Sequence, residues 1–147
     1  MSNHVEIFEV GPRDGLQNEA RQISLAEKIA LVECLSGGGF KRIEVASFVS
    51  PKWVPQMAQS GDVLAGIQRA AGVSYAALTP NLRGFKDALG AKADEVAIFT
   101  SASEGFSQAN VNTSIGNSLN RASDVAQAAQ TAGLPVRGYI SCVTECP

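Results

Sequence analysis

Residues 5 to 19 read VEIFEVGPRDGLQNE. The opening run is β-branched and aromatic, stops at Gly11 and Pro12, and is followed at once by a fixed positive charge, Arg13, beside a negative one, Asp14. A strand that ends in glycine and then presents charged side chains is the start of a strand–loop–helix unit whose loop does more than connect. Gly11 and Gly15 flank the pair and let the backbone turn sharply enough to expose both side chains.

Outward from this stretch the same theme recurs: a short β-branched run, a break rich in Gly, Pro or Asn, then a helical pattern closing near glycine. After the strand VEIFEVG (5 to 11), Ser24 and Glu27 form a capping box for a helix with Leu25, Ile29, Val32 and Leu35 as its apolar stripe, stopped at Gly37 to Gly39. RIEVAS (42 to 47) leads through a long loop to a helix of about ten residues near Asp62, with Val63, Leu64, Ile67 and Ala71 apolar and Gly72 as its stop. SYAALTP (74 to 80) is a third strand, after which Asn81 caps a short helix carrying Leu82, Phe85 and Leu89. EVAIFTSAS (95 to 103) is a fourth, followed by a loop and a helix from Ser114 to Ala132 with Ile115, Leu119, Ala122, Ala126 and Ala129 inward. PVRGYISCV (135 to 143) is a fifth strand.

Strands separated by helices pair in parallel through right-handed crossovers, so the fold class is α/β. An open doubly wound sheet competes with part of a (β/α)8 barrel, whose full form takes about 250 residues. The strand ends favour the barrel. Polar groups follow the strands in turn, Arg13 and Asp14, Ser47 and Ser50, Thr79 and Asn81, Ser101 and Ser103, as a site assembled from several loops at one rim requires. No GxGxxG follows the first strand. The expected fold is therefore the first five strands and intervening helices of a (β/α)8 TIM barrel, truncated, with residues 1–147 as a single partial domain.

Several residues stand out from their surroundings. Alone, the Arg13–Asp14 pair also reads as a surface ion pair worth about 0–1 kcal/mol. Glu6, Glu9 and Glu44 lie in segments that are otherwise Val, Ile and Phe, and a carboxylate buried without a partner costs several kcal/mol. Arg13 is the nearest candidate partner for Glu9 and Glu44, either as a buried salt bridge that orients the arginine or with the carboxylates contacting substrate. SFVSPKWVPQM (47 to 57) is long for a connection, and reads either as a binding element or as a packed loop anchored by Trp53. SEGFSQANVNTS (103 to 114) places the amides of Asn110 and Asn112 near the rim, and Arg137 suits an ion pair with a strand glutamate.

Composition narrows the partners. The chain has 147 residues, 45% hydrophobic and 18% charged, with a formal net charge of -2; no basic stripe marks a nucleic-acid surface and no run is apolar enough to span a membrane. The N-terminus enters a strand pattern directly, so a cytoplasmic protein without a targeting segment is expected. Cys34, Cys142 and Cys146 are an odd count, which argues for reduced thiols, and His4 is the one histidine, too few for a zinc site.

GPRDGLQNE, IEVASFVSPKWVPQM, LTPNLRGF and VRGYISC together resemble the corresponding segments of the hydroxymethylglutaryl-CoA lyase family, within the metal-dependent lyase and Claisen-condensing barrels. Isopropylmalate and homocitrate synthases of the wider group carry threonines and a leucine before the Arg-Asp pair, where Gly11 and Pro12 stand here. The resemblance implies cleavage of 3-hydroxy-3-methylglutaryl-CoA to acetoacetate and acetyl-CoA, with Asp14 a ligand of Mg2+ or Mn2+ and Arg13 at the thioester carbonyl oxygen. It implies that Glu44, Ser47 and Asn110 line the substrate site and that Glu9 and Arg137 support it. The partner is then a small-molecule acyl-CoA, and the protein a homo-oligomer. The family's His-x-His pair, its ligand asparagine and its Gly-Gly-Cys-Pro loop have no counterpart here, so the chain alone is expected to be inactive. His4 precedes the first strand and cannot replace the pair, and Cys146 and Pro147 only echo the loop.

Overall fold

A computed structural model describes residues 5–147, leaving His4 outside the described residues. The elements alternate as β1 (Phe8–Glu9), α1 (Leu25–Gly37), β2 (Arg42–Ser47), α2 (Ser60–Gly66), β3 (Ser74–Leu78), α3 (Leu82–Gly90), β4 (Glu95–Ser101), α4 (Glu104–Val111), α5 (Ile115–Ala132) and β5 (Val136–Ser141). Within the described residues the strands form one sheet in the order β1-β2-β3-β4-β5, every neighbouring pair parallel. The sheet curls into a half-barrel with its helices outside, which matches a truncated TIM barrel.

Local signals set most helix starts. Ser24 accepts from the Glu27 N–H while the Glu27 carboxylate takes the Ser24 N–H, the expected capping box. The Ser24 hydroxyl, and then its backbone, hold the Glu27 carboxyl down to about 2. Asn81 and Ser114 cap α3 and α5 through the N–H groups of Gly84 and Asn117. Each satisfies an amide that the helix itself cannot.

The outer face of the sheet is the core. Ile43, Val45, Ala46, Tyr75, Ala77 and Val96 pack against Val32, Val63, Leu64, Phe85, Val125 and Ala129 from the helices. Val45 and Ala46 are consecutive yet both belong to this cluster, because β2 slips register against β3 between Glu44 and Ala46. Glu44 pairs with Ala76, Ala46 with Ala77 and Ser47 with Leu78, so one extra residue is accommodated. Such a bulge changes which residues share a face. Strict alternation would put Ser47 opposite Glu44, whereas the slip brings both onto the inner face.

Four expectations need correction. β1 covers two residues rather than 5 to 11, because its partner β2 begins at Arg42, opposite Phe8, leaving Val5 and Ile7 unpaired and 83% and 65% exposed. α2 ends at Gly66 rather than near Gly72: Ile67 turns extended to bury itself, and Glu33 takes the Gln68 N–H at 2.9 Å. Residues 104–111, expected as loop, form α4, capped by the Ser103 hydroxyl and closed by Asn112 at φ 49. On α3 and α5, Phe85 and Ala129 are buried and Ile115, Ala122 and Ala126 half-buried as expected, but three of the leucines are not inward. Leu82, Leu89 and Leu119 are exposed, while Gly84, Phe85 and Ala88 of α3 and Ser118, Val125 and Ala129 of α5 are buried. Small residues let these helices approach closely, and large ones on the neighbouring positions are then left outside.

At Gly84 this close approach is measurable. A Cβ there would lie 2.8 Å from the Phe48 carbonyl oxygen and 2.9 Å from Pro80 Cδ, and neither neighbour is a flexible side-chain end. We predict that Gly84→Ala lowers unfolding free energy by about 1–3 kcal/mol through overpacking. Urea denaturation checks it, and a variant as stable as the parent would show that α3 can shift outward freely.

Candidate active site

The residues after β1 form one turn of π-helix, Gly11–Gly15. The Val10 carbonyl accepts from the Arg13 N–H at 3.1 Å and from the Asp14 N–H at 2.7 Å, while Pro12 buries its ring. Glu9 begins the turn, accepting the Gly11 N–H at 2.6 Å. A Cβ on Gly11 would meet that same carboxylate oxygen at 2.7 Å, so a larger residue there would push the Glu9 side chain aside. Glu9 therefore shapes the backbone under Arg13 and does not pair with it, which corrects half of the expectation for the two glutamates.

Glu44 fulfils the other half. It has no solvent exposure, and its Oε1 accepts from Arg13 Nε at 2.5 Å while its Oε2 accepts from the Tyr139 hydroxyl at 2.8 Å. Arg13 also donates from Nη1 to Asp14 Oδ1 at 2.7 Å. Its side chain is 12% exposed and that of Asp14 is 56% exposed, so the pair runs from the sheet interior to the rim. Among the described residues Arg13 Nη2 has no hydrogen-bond partner, and neither has Asp14 Oδ2. One edge of a fixed guanidinium and one carboxylate oxygen are thus available together.

Tyr139 has no place in the sequence-derived site. Its signal is the alternation of β5, in which Arg137, Tyr139 and Ser141 are the less exposed positions. Burial, and next the hydrogen bond to Glu44, push its phenol well above the usual range, so it remains a donor.

The same inner face carries a second charged layer below. Arg42 forms a bidentate pair with Glu95, which is 3% exposed, and approaches Glu6 at 3.6 Å. Arg137 lies 3.7 Å from Glu95 through Nε, a buried nitrogen without a hydrogen bond among the described residues, and the guanidinium carbons of Arg42 and Arg137 stack on Phe8 at 4.7 and 4.1 Å. Arg137 is thus an ion-pair partner of a strand glutamate, although Glu95 itself was not foreseen.

The remaining candidates are more dispersed. Ser47 is fully buried at the end of β2, its N–H donates to Ser60 Oγ at 3.1 Å, and its own hydroxyl has no partner among the described residues. Asn110 lies in the last turn of α4, exposed, rather than in a loop. Ser101 and Thr79 hydroxyls donate to the neighbouring strand carbonyls of Ser141 and Ala97. Trp53 is 85% exposed and anchors nothing. Cys34, Cys142 and Cys146 are free thiols. Asp14 offers the hard oxygen that a divalent cation prefers, but among the described residues no three of His, Cys, Asp and Glu gather into a cage. The donor suits one position of an octahedral shell and no more.

Comparison with known proteins agrees with the fold. A family model described as HMGL-like matches residues 4–147. The chain is 59% identical over 143 residues to a Pseudomonas aeruginosa protein named 3-hydroxy-3-isohexenylglutaryl-CoA/hydroxy-methylglutaryl-CoA lyase, covering 97% of this chain and 48% of that one. It is 54% identical to the Bos taurus mitochondrial hydroxymethylglutaryl-CoA lyase, again over 97% of this chain and 44% of the other. The crystal structure of HMG-CoA lyase from Brucella melitensis superposes with a TM-score of 0.92 at 55% identity, over 97% of this chain and 52% of that one. The chain spans about half the length of the curated relatives it matches.

Two outcomes follow from the Glu44 contacts. Glu44→Ala leaves a largely buried guanidinium with only the exposed Asp14 as counter-charge and the Tyr139 hydroxyl without its acceptor, and we predict a loss of about 3–5 kcal/mol in unfolding free energy, read by urea titration. A loss below that of a surface ion pair would show that Arg13 relaxes into water. The Tyr139 phenol holds its proton more tightly folded than unfolded, so its contribution is complete below about pH 10 and is lost as pH rises toward the raised value. Tyr139→Phe should therefore flatten the fall in stability above about pH 10. An unchanged alkaline slope would contradict the assigned contact.

Proposed function

The chain belongs to the HMGL-like family, and from that premise we propose that it carries one part of the site of a divalent-cation-dependent carbon–carbon lyase. The reaction proposed is cleavage of 3-hydroxy-3-methylglutaryl-CoA to acetoacetate and acetyl-CoA. One observation carries this reading: Arg13, in the turn after β1, is held through Nε by Glu44 and through Nη1 by Asp14, and its Nη2 has no partner among the described residues.

The chemistry explains why a locked guanidinium is useful. The tertiary hydroxyl must lose its proton to a base, the adjacent carbon–carbon bond breaks to give the ketone, and that bond's electron pair becomes the enolate of acetyl-CoA, which takes up a proton at carbon to give acetyl-CoA. The enolate oxygen is the former thioester carbonyl oxygen. Arg13 Nη2 donates to it, and because Glu44 already holds the guanidinium in place, little reorganisation is needed as charge develops. Glu44, Ser47 and Asn110 border the substrate; Glu9 acts through the turn it shapes, and Arg137 by holding β5 against Glu95. When bound, a hard cation, Mg2+ or Mn2+, supplies Lewis acidity that lowers the pKa of the tertiary hydroxyl, and Asp14 Oδ2 would furnish one of its oxygen ligands.

The substrate class has a second form. The Pseudomonas relative's name pairs the methyl substrate with a longer isohexenyl one, so a related 3-substituted glutaryl-CoA is the alternative at the same site. A purely structural or oligomer-forming module is disfavoured by relatives that are lyases by name. With that activity go 1–147 as a single partial domain, a role in leucine degradation and ketone-body formation, a homo-oligomeric state and a cytoplasmic location, each proposed here. Sizing tests the oligomer, and cell fractionation decides between the cytoplasm and the mitochondrion named for the bovine relative. No described helix is long and apolar enough to cross a membrane.

The decisive test uses this chain and a version extended to the length of the relatives, each given Mg2+ or Mn2+ and both acyl-CoA substrates. We predict acetoacetate release by the extended protein only, and a fall in its kcat of about 100- to 1,000-fold on Arg13→Met, the loss typical of one oxyanion donor. Full turnover by the Arg13 variant would sink the role assigned to the guanidinium. Full turnover by this chain alone would sink the division of the site.

A further inference from the structure

The inner face of the sheet holds two arginine–glutamate pairs that differ in one respect. Arg42 grips Glu95 side-on: its Nε donates to Oε2 at 3.0 Å and its Nη2 to Oε1, so two nitrogens on one edge of the guanidinium take both carboxylate oxygens. At Arg13 only Nε is used on Glu44, donating to Oε1 at 2.5 Å. Nη2, the neighbour of Nε on that edge, has no partner among the described residues. The side-on fork adds both energy and geometric definition to an arginine–carboxylate pair, so its absence at Arg13 requires a cause.

That cause lies at the second oxygen. Glu44 Oε2 accepts from the Tyr139 hydroxyl at 2.8 Å, whereas among the described residues Glu95 receives a hydrogen bond from Arg42 and from no hydroxyl. Tyr139 stands on β5, three strands from β2 in the sheet. Ala76, in register with Glu44, and Ala97, two residues on from Glu95 along β4, are both without solvent exposure. With only a methyl group at these positions, the intervening strands leave room for the phenol to reach the carboxylate across the inner face. Burial raises the phenol's pKa, and the bond to Glu44 raises it further, so Tyr139 stays a donor at neutral pH.

We propose that Tyr139 is a positioning residue that acts through Glu44: by occupying Oε2 it prevents the side-on fork and keeps Nη2 of Arg13 open for the thioester oxygen of the substrate, an inference that rests on the lyase reading above. Without the hydroxyl, Glu44 takes Nε and Nη2 together, as Glu95 does with Arg42. The donor needed by the developing enolate is then consumed within the protein.

The contact and the reaction can be tested apart. In this chain labelled with 15N-arginine, the Nη2 protons of Arg42 should exchange with water more slowly than those of Arg13, and Tyr139→Phe should bring Arg13 to the slower rate. Equal exchange at the two arginines of the parent overturns the proposal whether or not the variant folds, and so does an Arg13 rate that a folded variant leaves fast. In the extended protein with Mg2+, Tyr139→Phe should lower kcat by about 100- to 1,000-fold, the loss of one oxyanion donor, with KM unchanged. In an Arg13→Met background the same substitution should cost nothing further, because its effect passes through Arg13. A tyrosine that merely supports the fold would lower kcat by the same factor in both backgrounds. That result, or full turnover by Tyr139→Phe, overturns the proposal. An extended parent that releases no acetoacetate removes the lyase reading instead, while the exchange rates still decide what holds Nη2 open.

Discussion

A carboxylate without solvent exposure, Glu44, sits in the middle of a parallel strand, and much of the inner face is arranged to answer its charge. Left bare it would cost several kcal/mol. Its two oxygens are satisfied by different parts of the chain, Arg13 from the turn after β1 and Tyr139 from β5. The pairing therefore spans the sheet from its first loop to its last strand. It also restrains Arg13, a long side chain that would otherwise sample many rotamers, and leaves Nη2 without a partner among the described residues. A stability requirement and the orientation of an arginine are met by the same bonds.

The sheet separates two kinds of chemistry by face. Outside, aliphatic side chains, alanines and the fully buried Tyr75 pack against the helices; inside, glutamates and arginines pair in two layers, Arg42, Glu95 and Arg137 below Glu44, Arg13 and Tyr139. The register slip beside Val45 matters because it places Ser47 on the charged side without exposing Val45 or Ala46. A single extra residue thus re-aims a hydroxyl towards the site while the core remains apolar.

Around this interior, the rim loops differ in how they are held. The turn after β1 is fixed by Glu9 on Gly11 and by two bonds to the Val10 carbonyl. The loop after β2 is fixed by Gln56 and Lys28, which free Trp53 from any structural duty. Held from beneath, both loops present side chains outward at little further ordering cost, which favours binding by preformed geometry. Asp14 remains the exception. It is exposed and needs ligands from beyond its own neighbourhood to hold a cation.

Much of this was legible in the residues alone. Capping boxes, glycine stops and β-branched runs are local, so Ser24, Asn81 and Ser114 mark helix starts and RIEVAS and SYAAL mark strands by their own chemistry. The polar residues after successive strands point to the rim, and the anomalous glutamates announce that partners must exist. Which partner answers which glutamate is another matter. Glu9 turned to a backbone amide, Glu95 took Arg42 and Arg137, and Tyr139, 95 positions from Glu44 in the chain, supplied the second bond to it. The bulge at Val45, the rotation of α5 that exposes Leu119, and the exposure of Trp53 likewise depend on what packs opposite. Sequence determined the elements, their order and the presence of buried charge, because propensity and periodicity act over a few residues. Only the tertiary structure decided the pairings and the facing of side chains, because those depend on contacts between segments far apart in the chain.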